Sequence, residues 1–254
     1  MTVLLAFDTA TEQMNIALSV RGLVSVHEAV GGAQASATLI PAILGLLTEA
    51  GLTLRDVDAI GFGRGPGAFT GLRTACSVAQ GLAFGAARPV LPIDTLLAVA
   101  EDARGAAGVA EVEGAGANPF TLWVAMDARM NEIYAAQYRF DAQGWQVLAA
   151  PMLISAPALN QRWQLDPPDH IAGNAVAVFG ALLEAPGAQL WPEARPRAAA
   201  LMALAQALWQ QGAGLDAALA LPLYLRDKVA QTTLERDEAR QAKDALKAAL
   251  EHGA

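Results

Sequence analysis

Two hydrophobic periods alternate along the chain. Val3–Phe7 is a continuous apolar run, Asn15–Val20 alternates, and Leu23–Val30 follows a turn at Arg21-Gly22, which predicts three strands. From Gln34 to Ala50 the period lengthens. Leu39, Ile43, Leu46 and Leu47 fall on one helical face, and Gly51 is the stop. Thr53-Leu-Arg-Asp56 resembles a capping box for a single turn, and Ala59–Gly63 is a short buried strand. A glycine-rich loop then enters a helix over Thr70–Ala86. Val90–Ile93 is a strand, and Asp94 is expected to cap a helix reaching Arg104. Gly105–Asn118 has no periodicity and reads as an exposed linker.

The pattern then begins again. Strands are predicted at Phe120–Met126, at Glu132–Phe140 and near Trp145–Ala150. Ser155 is expected to cap a short helix containing Pro157, His170–Ala172 is a strand before Gly173-Asn174, and a helix runs on to about Glu184. Pro196 suits the first turn of a helix ending at Gln211. Strand, aspartate, turn and strand thus occur at Phe7-Asp8-Thr9 and again at Met126-Asp127-Ala128, an internal duplication of elements rather than of letters. Strands interleaved with helices imply α/β layering with a mixed sheet in each of two lobes. The expected division is 1–104 plus about 196–225 for the first lobe, 105–195 for the second, and a charged, helical tail over 226–254.

Composition narrows the function classes. The chain has 254 residues, with 17 Lys and Arg against 25 Asp and Glu, so the net charge is −8. Its lysines, Lys228, Lys243 and Lys247, all lie near the C-terminal end, which argues against a direct grip on nucleic-acid phosphates. One cysteine, Cys76, excludes an internal disulfide and fits a reducing cytoplasm. His27, His170 and His252 are scattered, so no zinc-type spacing exists and no metal site is expected. No apolar run approaches the ~20 residues of a membrane span.

The candidate chemistry begins with Gly61-Phe-Gly-Arg-Gly-Pro-Gly-Ala-Phe-Thr-Gly-Leu-Arg73, between a predicted strand and helix. Here Gly63, Arg64, Gly65, Pro66, Gly67, Phe69, Thr70, Gly71 and Arg73 allow either a tight structural turn or a cradle for an anion at a helix N-terminus. The Lys-Ser/Thr ending of a Walker loop is absent. Asp8, Thr9 and Thr11 form a turn able to hold hydrated Mg²⁺ and phosphate, or simply to satisfy its own backbone. No Gly-x-Ser-x-Gly elbow occurs, and Cys76 sits among small apolar residues that suit an inert thiol. No catalytic residue is assigned. Two neighbouring apolar helices leave a surplus face, with Leu39, Ile43, Leu46 and Leu47 on one and Leu72, Ala75, Cys76, Ala79 and Leu82 on the other. A glutamate at Ala79 is expected to abolish association and spare the fold.

The glycine run resembles the signature of the bacterial TsaB (YeaZ-like) family of tRNA threonylcarbamoyladenosine biosynthesis proteins. Leu5-Ala-Phe-Asp-Thr-Ala-Thr11, Asp127-Ala-Arg129 with Glu132-Ile-Tyr134, and Pro222-Leu-Tyr-Leu-Arg226 match in the family's order. The resemblance implies two ribonuclease-H-like lobes of the actin, sugar-kinase and chaperone ATPase superfamily. In that superfamily the Asp8 and Asp127 turns would be phosphate motifs, with Gly173-Asn174 near the adenosine motif. Ala128 and Arg129 bring bulk where a kinase-like loop has glycine. The His-x-x-x-His of the related catalytic subunit TsaD is absent, which implies a non-catalytic paralogue. Such a chain would bind TsaD through the two-helix face and act with TsaE to modify the adenosine next to the anticodon of ANN-decoding tRNAs, touching tRNA only through the complex. The resemblance implies no cofactor of the chain's own. It leaves open ATP or ADP with Mg²⁺ at the complex interface, a homodimer through the same face, and a free-standing nucleotide-binding phosphotransferase or ATPase as the alternative. A peptidase role, after older naming of the wider family, finds no nucleophile, base and acid at usable spacing. The family's His-Ser-Glu before its first Leu-Leu-Pro is Ala35-Ser36-Ala37 here.

Overall fold

A computed structural model describes residues 2–109 and 119–226. The expected tail helix and most of the Gly105–Asn118 linker lie outside the described residues. The first sheet contains β1 (Val3–Asp8), β2 (Gln13–Val20), β3 (Leu23–Val30), β4 (Ala59–Gly65) and β5 (Val90–Asp94) in the order β3-β2-β1-β4-β5. The second contains β6 (Phe120–Asp127), β7 (Glu132–Asp141), β8 (Gly144–Ser155), β9 (His170–Ala172) and β10 (Gln189–Trp191), ordered β10-β9-β6-β7-β8. Counted from each sheet's own first strand, both orders are 3-2-1-4-5. The first three strands are antiparallel and the last two join parallel. The duplication inferred from strand–aspartate–turn–strand is therefore a duplication of topology: two ribonuclease-H-like lobes.

The helices are α1 (Ala35–Glu49), α2 (Phe69–Ala86), α3 (Thr95–Ala106), α4 (Ala156–Leu165), α5 (Ala175–Phe179) and α6 (Ala198–Gln210). They and the sheets stack as five layers. The odd residues of β1, Val3, Leu5 and Phe7, pack against α1 and α2, while the even ones, Leu4 and Ala6, meet α3 and α6. Leu122 and Val124 of β6 meet the other side of α3 through Leu96, Val99 and Ala103, whereas Trp123 and Ala125 face α4 and α5. Helix α3 thus serves both lobes. Strands β1 and β6 are covered on both faces, which is why their sequences read as continuous apolar runs rather than as alternation.

The Thr53–Asp56 box forms as read, with Thr53 N donating to Asp56 Oδ2 at 2.8 Å. Asp94 and Ser155 stand at helix N-caps but make no capping bond through their side chains. The Asp94 carboxylate is drawn instead to Arg64, a charged donor that outcompetes a backbone N–H. The helix expected to reach Glu184 stops at Phe179, where Gly180 takes φ of +51° and a single tighter turn follows. Strand β10 carries too little pattern to be read, and β8 runs on to Ser155, past a register shift near Gln137.

Candidate functional site: the interlobe cleft

A cleft of about 710 Å³ opens between the lobes. The β1–β2 turn, the glycine run and Leu223-Tyr224 form one wall, the turn after β6 and Asn174 form the other, and Arg226 reaches from the first to the second. Within the first wall the glycines have a specific physical task. A Cβ on Gly63 would lie 1.7 Å from Asp8 Oδ2, on Gly67 2.6 Å from Ala10 O, and on Gly71 1.8 Å from Thr9 O. Three glycines spaced four residues apart therefore receive three successive residues of the aspartate turn. Hydrogen bonds close the contact: Thr9 Oγ1 donates to Gly71 O at 2.7 Å and Ala68 N to Ala10 O at 2.8 Å. The run cradles the chain's own turn.

Asp8 lies beneath this contact with no exposed surface. Its Oδ1 accepts from Ala10 N at 2.7 Å and its Oδ2 from Thr95 Oγ1 at 2.8 Å. Burial pushes its carboxyl up to about 6, and those two hydrogen bonds hold back part of the rise. Thr9 is equally buried, while Thr11 and Asp127 line the cleft. Of the four residues expected at a nucleotide site, the structure brings two to the cleft and packs two behind it.

Asp127 is engaged differently. Its Oδ1 accepts from Arg129 N at 2.8 Å, its Oδ2 pairs with Arg129 Nη1 at 3.1 Å, and Asp127 N donates to Asn174 Oδ1. The guanidinium of Arg129 reaches across to Glu12 Oε1, 2.6 Å away on the first lobe. A magnesium nucleotide does not fit these residues. Asp8 is buried and both its oxygens already accept hydrogen bonds, and Asp127 is paired with Arg129, which also holds Glu12.

Arg64 anchors its loop, with Nε 2.5 Å from Asp94 Oδ1. Arg73 lies 3.8 Å above the Phe69 ring and donates to Tyr224 OH at 3.2 Å. Cys76 is buried, bonded to Ala220 O at 3.1 Å, and its thiol is pushed up by burial. Among the described residues, no three His, Cys, Asp or Glu side chains are placed to share a metal ion, and no helix is long and apolar enough to cross a membrane.

The two-helix face needs correction. Leu39, Ile43, Leu47, Leu72, Ala75, Cys76 and Ala79 point inward, all at most 6% exposed, and all but Leu72 join the core against β1. Leu46 and Leu82 are half-buried against that core. The periodicity marks the face used by the chain's own fold, so Ala79→Glu would place a charge in the core rather than spare it. The apolar groups that α1 and α2 leave outside are Ile40, Leu44 and Phe84, the last 63% exposed.

This architecture and its signature residues have known relatives. A family model, TsaD, tRNA N6-adenosine threonylcarbamoyltransferase, matches residues 23–234. The tRNA threonylcarbamoyladenosine biosynthesis protein TsaB of Escherichia coli (strain K12) is 30% identical over 92% of this chain and 99% of its own length. Its counterpart in Haemophilus influenzae is 35% identical over 89% and 94%. The chain belongs to the TsaB family. The solved structure of YeaZ from Pseudomonas aeruginosa superposes with a TM-score of 0.77 at 36% identity, covering 89% of this chain and all of that one. The TsaB signature run is therefore seen here at work as a packing element.

Pattern reading misses Glu12 and Thr95 as parts of the site, and it assigns no role to Tyr224 and Arg226 within Pro222–Arg226. A tyrosine and an arginine in a short run beyond the last helix are the available signal.

Proposed function

We propose that the chain is a non-catalytic partner subunit of a TsaD-type tRNA N6-adenosine threonylcarbamoyltransferase. In this reading it binds TsaD directly, joins TsaE in the complex, and supports formation of threonylcarbamoyladenosine next to the anticodon of ANN-decoding tRNAs in the cytoplasm. The observation that carries the reading is the state of the cleft. The carboxylates at the two superfamily phosphate positions are tied up by Ala10 and Thr95 in one lobe and by Arg129 in the other. The net charge of −8 supports the same division of labour, since an acidic subunit leaves tRNA phosphates to its partners.

The proposed contact is the outer side of the α1–α2 pair, with Ile40, Leu44 and Phe84 as its apolar groups and half-buried Leu46 and Leu82 between them and the core. The test is co-purification of the cognate TsaD with the wild-type chain and with Leu44→Glu/Phe84→Glu, with and without ATP. Circular dichroism checks the fold. The expected result is association that the double variant weakens tenfold or more without changing its spectrum. Undiminished association of a folded double variant removes this face from the proposal, and no association of the wild type under either condition removes the partner role. Sedimentation of each protein alone reads out a homodimer through the same face.

A further inference from the structure

The segment Ala220–Arg226 has no ladder of its own, yet it is anchored at Ala220, Leu223, Tyr224 and Arg226. Ala220 O accepts from Gln80 Nε2 and Cys76 Sγ, both at 3.1 Å. Leu223 N donates to Arg64 O at 2.7 Å. The Tyr224 ring lies 4.8 Å from that of Phe69, and its hydroxyl takes the Arg73 bond. Phe69, Arg73, Cys76 and Gln80 form a single stripe of α2. The segment therefore runs back along that stripe toward the start of the helix and then leaves the first lobe.

It ends on the second lobe. Arg226 Nη2 donates to Ala128 O at 3.1 Å and Arg129 O at 3.3 Å and pairs with Glu132 Oε2 at 2.5 Å, while Nη1 meets Met130 Sδ at 3.5 Å. The turn it grips is conformationally expensive. Arg129, Met130 and Asn131 have φ of 62°, 56° and 60°, three successive left-handed residues with no glycine among them. Such a turn persists only where its surroundings over-determine it. Here Ala128 N donates to Glu132 O at 2.9 Å and Glu132 N to Arg129 O at 3.1 Å, the Asp127 carboxylate sits inside the turn, Glu12 pairs with Arg129, and a guanidinium arrives from 97 residues further along the chain.

We propose that Ala220–Arg226 is an interlobe strap that couples α2 to the turn after β6, so that the turn bearing Asp127 and Arg129 keeps its conformation only while both ends of the strap are anchored. Arg226 is a positioning residue on the second lobe and Tyr224 is its counterpart on the first. The strap acts within the isolated chain, whatever partner the helix face takes.

The test is amide hydrogen exchange on the full chain for wild type, Arg226→Gln and Tyr224→Ala. The Ala128, Arg129 and Glu132 amides are read against Leu5 and Val124 in the central strands. Both variants are expected to speed exchange in the turn at least tenfold while leaving the strands within twofold. The pair together should exceed neither single by more than twofold, because either change releases the same element. A turn unchanged within twofold in Tyr224→Ala reduces Arg226 to a local cap and overturns the strap. An unchanged turn in Arg226→Gln overturns it outright. Should either variant raise strand exchange as well, Arg226→Lys and Tyr224→Phe replace them. These keep the stem and the ring while removing the bidentate grip and the hydroxyl. A uniform rise or no change in both conservative variants likewise overturns the proposal, whereas a rise confined to the turn supports it.

Discussion

The two aspartate turns occupy equivalent places in two lobes of identical strand order, yet their surroundings have opposite characters. Around Asp8 everything is small and close: Gly63, Gly67 and Gly71 admit the turn to backbone contact, and the carboxylate is sealed from water. Around Asp127 the side chains, Asn174 apart, are long and charged: Arg129 reaches Glu12 across the gap between lobes, and Arg226 reaches Glu132. The first turn derives its stability from packing, where a misplaced methyl is felt at once. The second derives it from side-chain hydrogen bonds over an unfavourable backbone, where much of the charge is exposed. Duplicated topology therefore fixes where an aspartate sits without fixing what its neighbours make of it.

That contrast can be broken most forcefully at the first turn. Gly71→Ala or Gly63→Ala should destabilise the protein by ~3 kcal/mol or more, because the new methyl meets rigid backbone or a buried carboxylate. Chemical denaturation measures this, and a loss below ~1 kcal/mol would show that the Asp8 turn can move aside.

Of nearly the same size is the pH effect at Asp8. The folded carboxyl titrates at about 6 against an ordinary aspartate value of 3.8, so the folded state holds this proton more tightly than the unfolded chain does. The uncharged form carries no burial penalty of charge, so stability on account of this group is highest below pH ~4 and falls as pH rises through ~6, by ~3 kcal/mol in all. Asp8→Asn should remove that dependence. The difference in unfolding free energy between variant and wild type should grow in the variant's favour from pH ~4 to pH ~6.5, and a constant difference would count against a buried charge.

The second turn should respond more mildly and in the other direction. Met130→Gly places at φ of 56° the residue that tolerates it, and should stabilise by about 1 kcal/mol or less in thermal unfolding. A clear destabilisation would mean that the Met130 side chain outweighs its backbone. Smallest is Glu12→Gln, which removes an ion pair whose side chains are 71% and 84% exposed, and should change stability by about half a kcal/mol or less. Its effect should vanish in high salt, as measured by denaturation at two ionic strengths.

Much of the fold is legible because burial leaves a periodic trace. The apolar run through Leu5 and Phe7, and the helical spacing of Leu39 and Ile43, declare a strand and a helix by spacing alone, and nine of the ten strands among the described residues are located by such runs. What spacing cannot report is which surface an inward face meets. Leu39, Ile43 and Ala79 read as surplus because nothing in a linear pattern shows that β1 needs covering on both sides. Likewise Asp94 before a helix is a good cap by type, and only the arrival of Arg64 redirects it.

The sequence by itself determined two α/β lobes, their repeated strand–aspartate–turn plan, the unusual glycine run and membership of a family. These rest on local periodicity and local backbone freedom, which neighbours in sequence decide. Only the tertiary structure decided that the glycine run holds the Asp8 turn, that Arg129 reaches Glu12 on the other lobe, and that Tyr224 and Arg226 bind both lobes. Each is a contact between residues tens to more than a hundred positions apart, made when the core closes, and no local pattern encodes its partner.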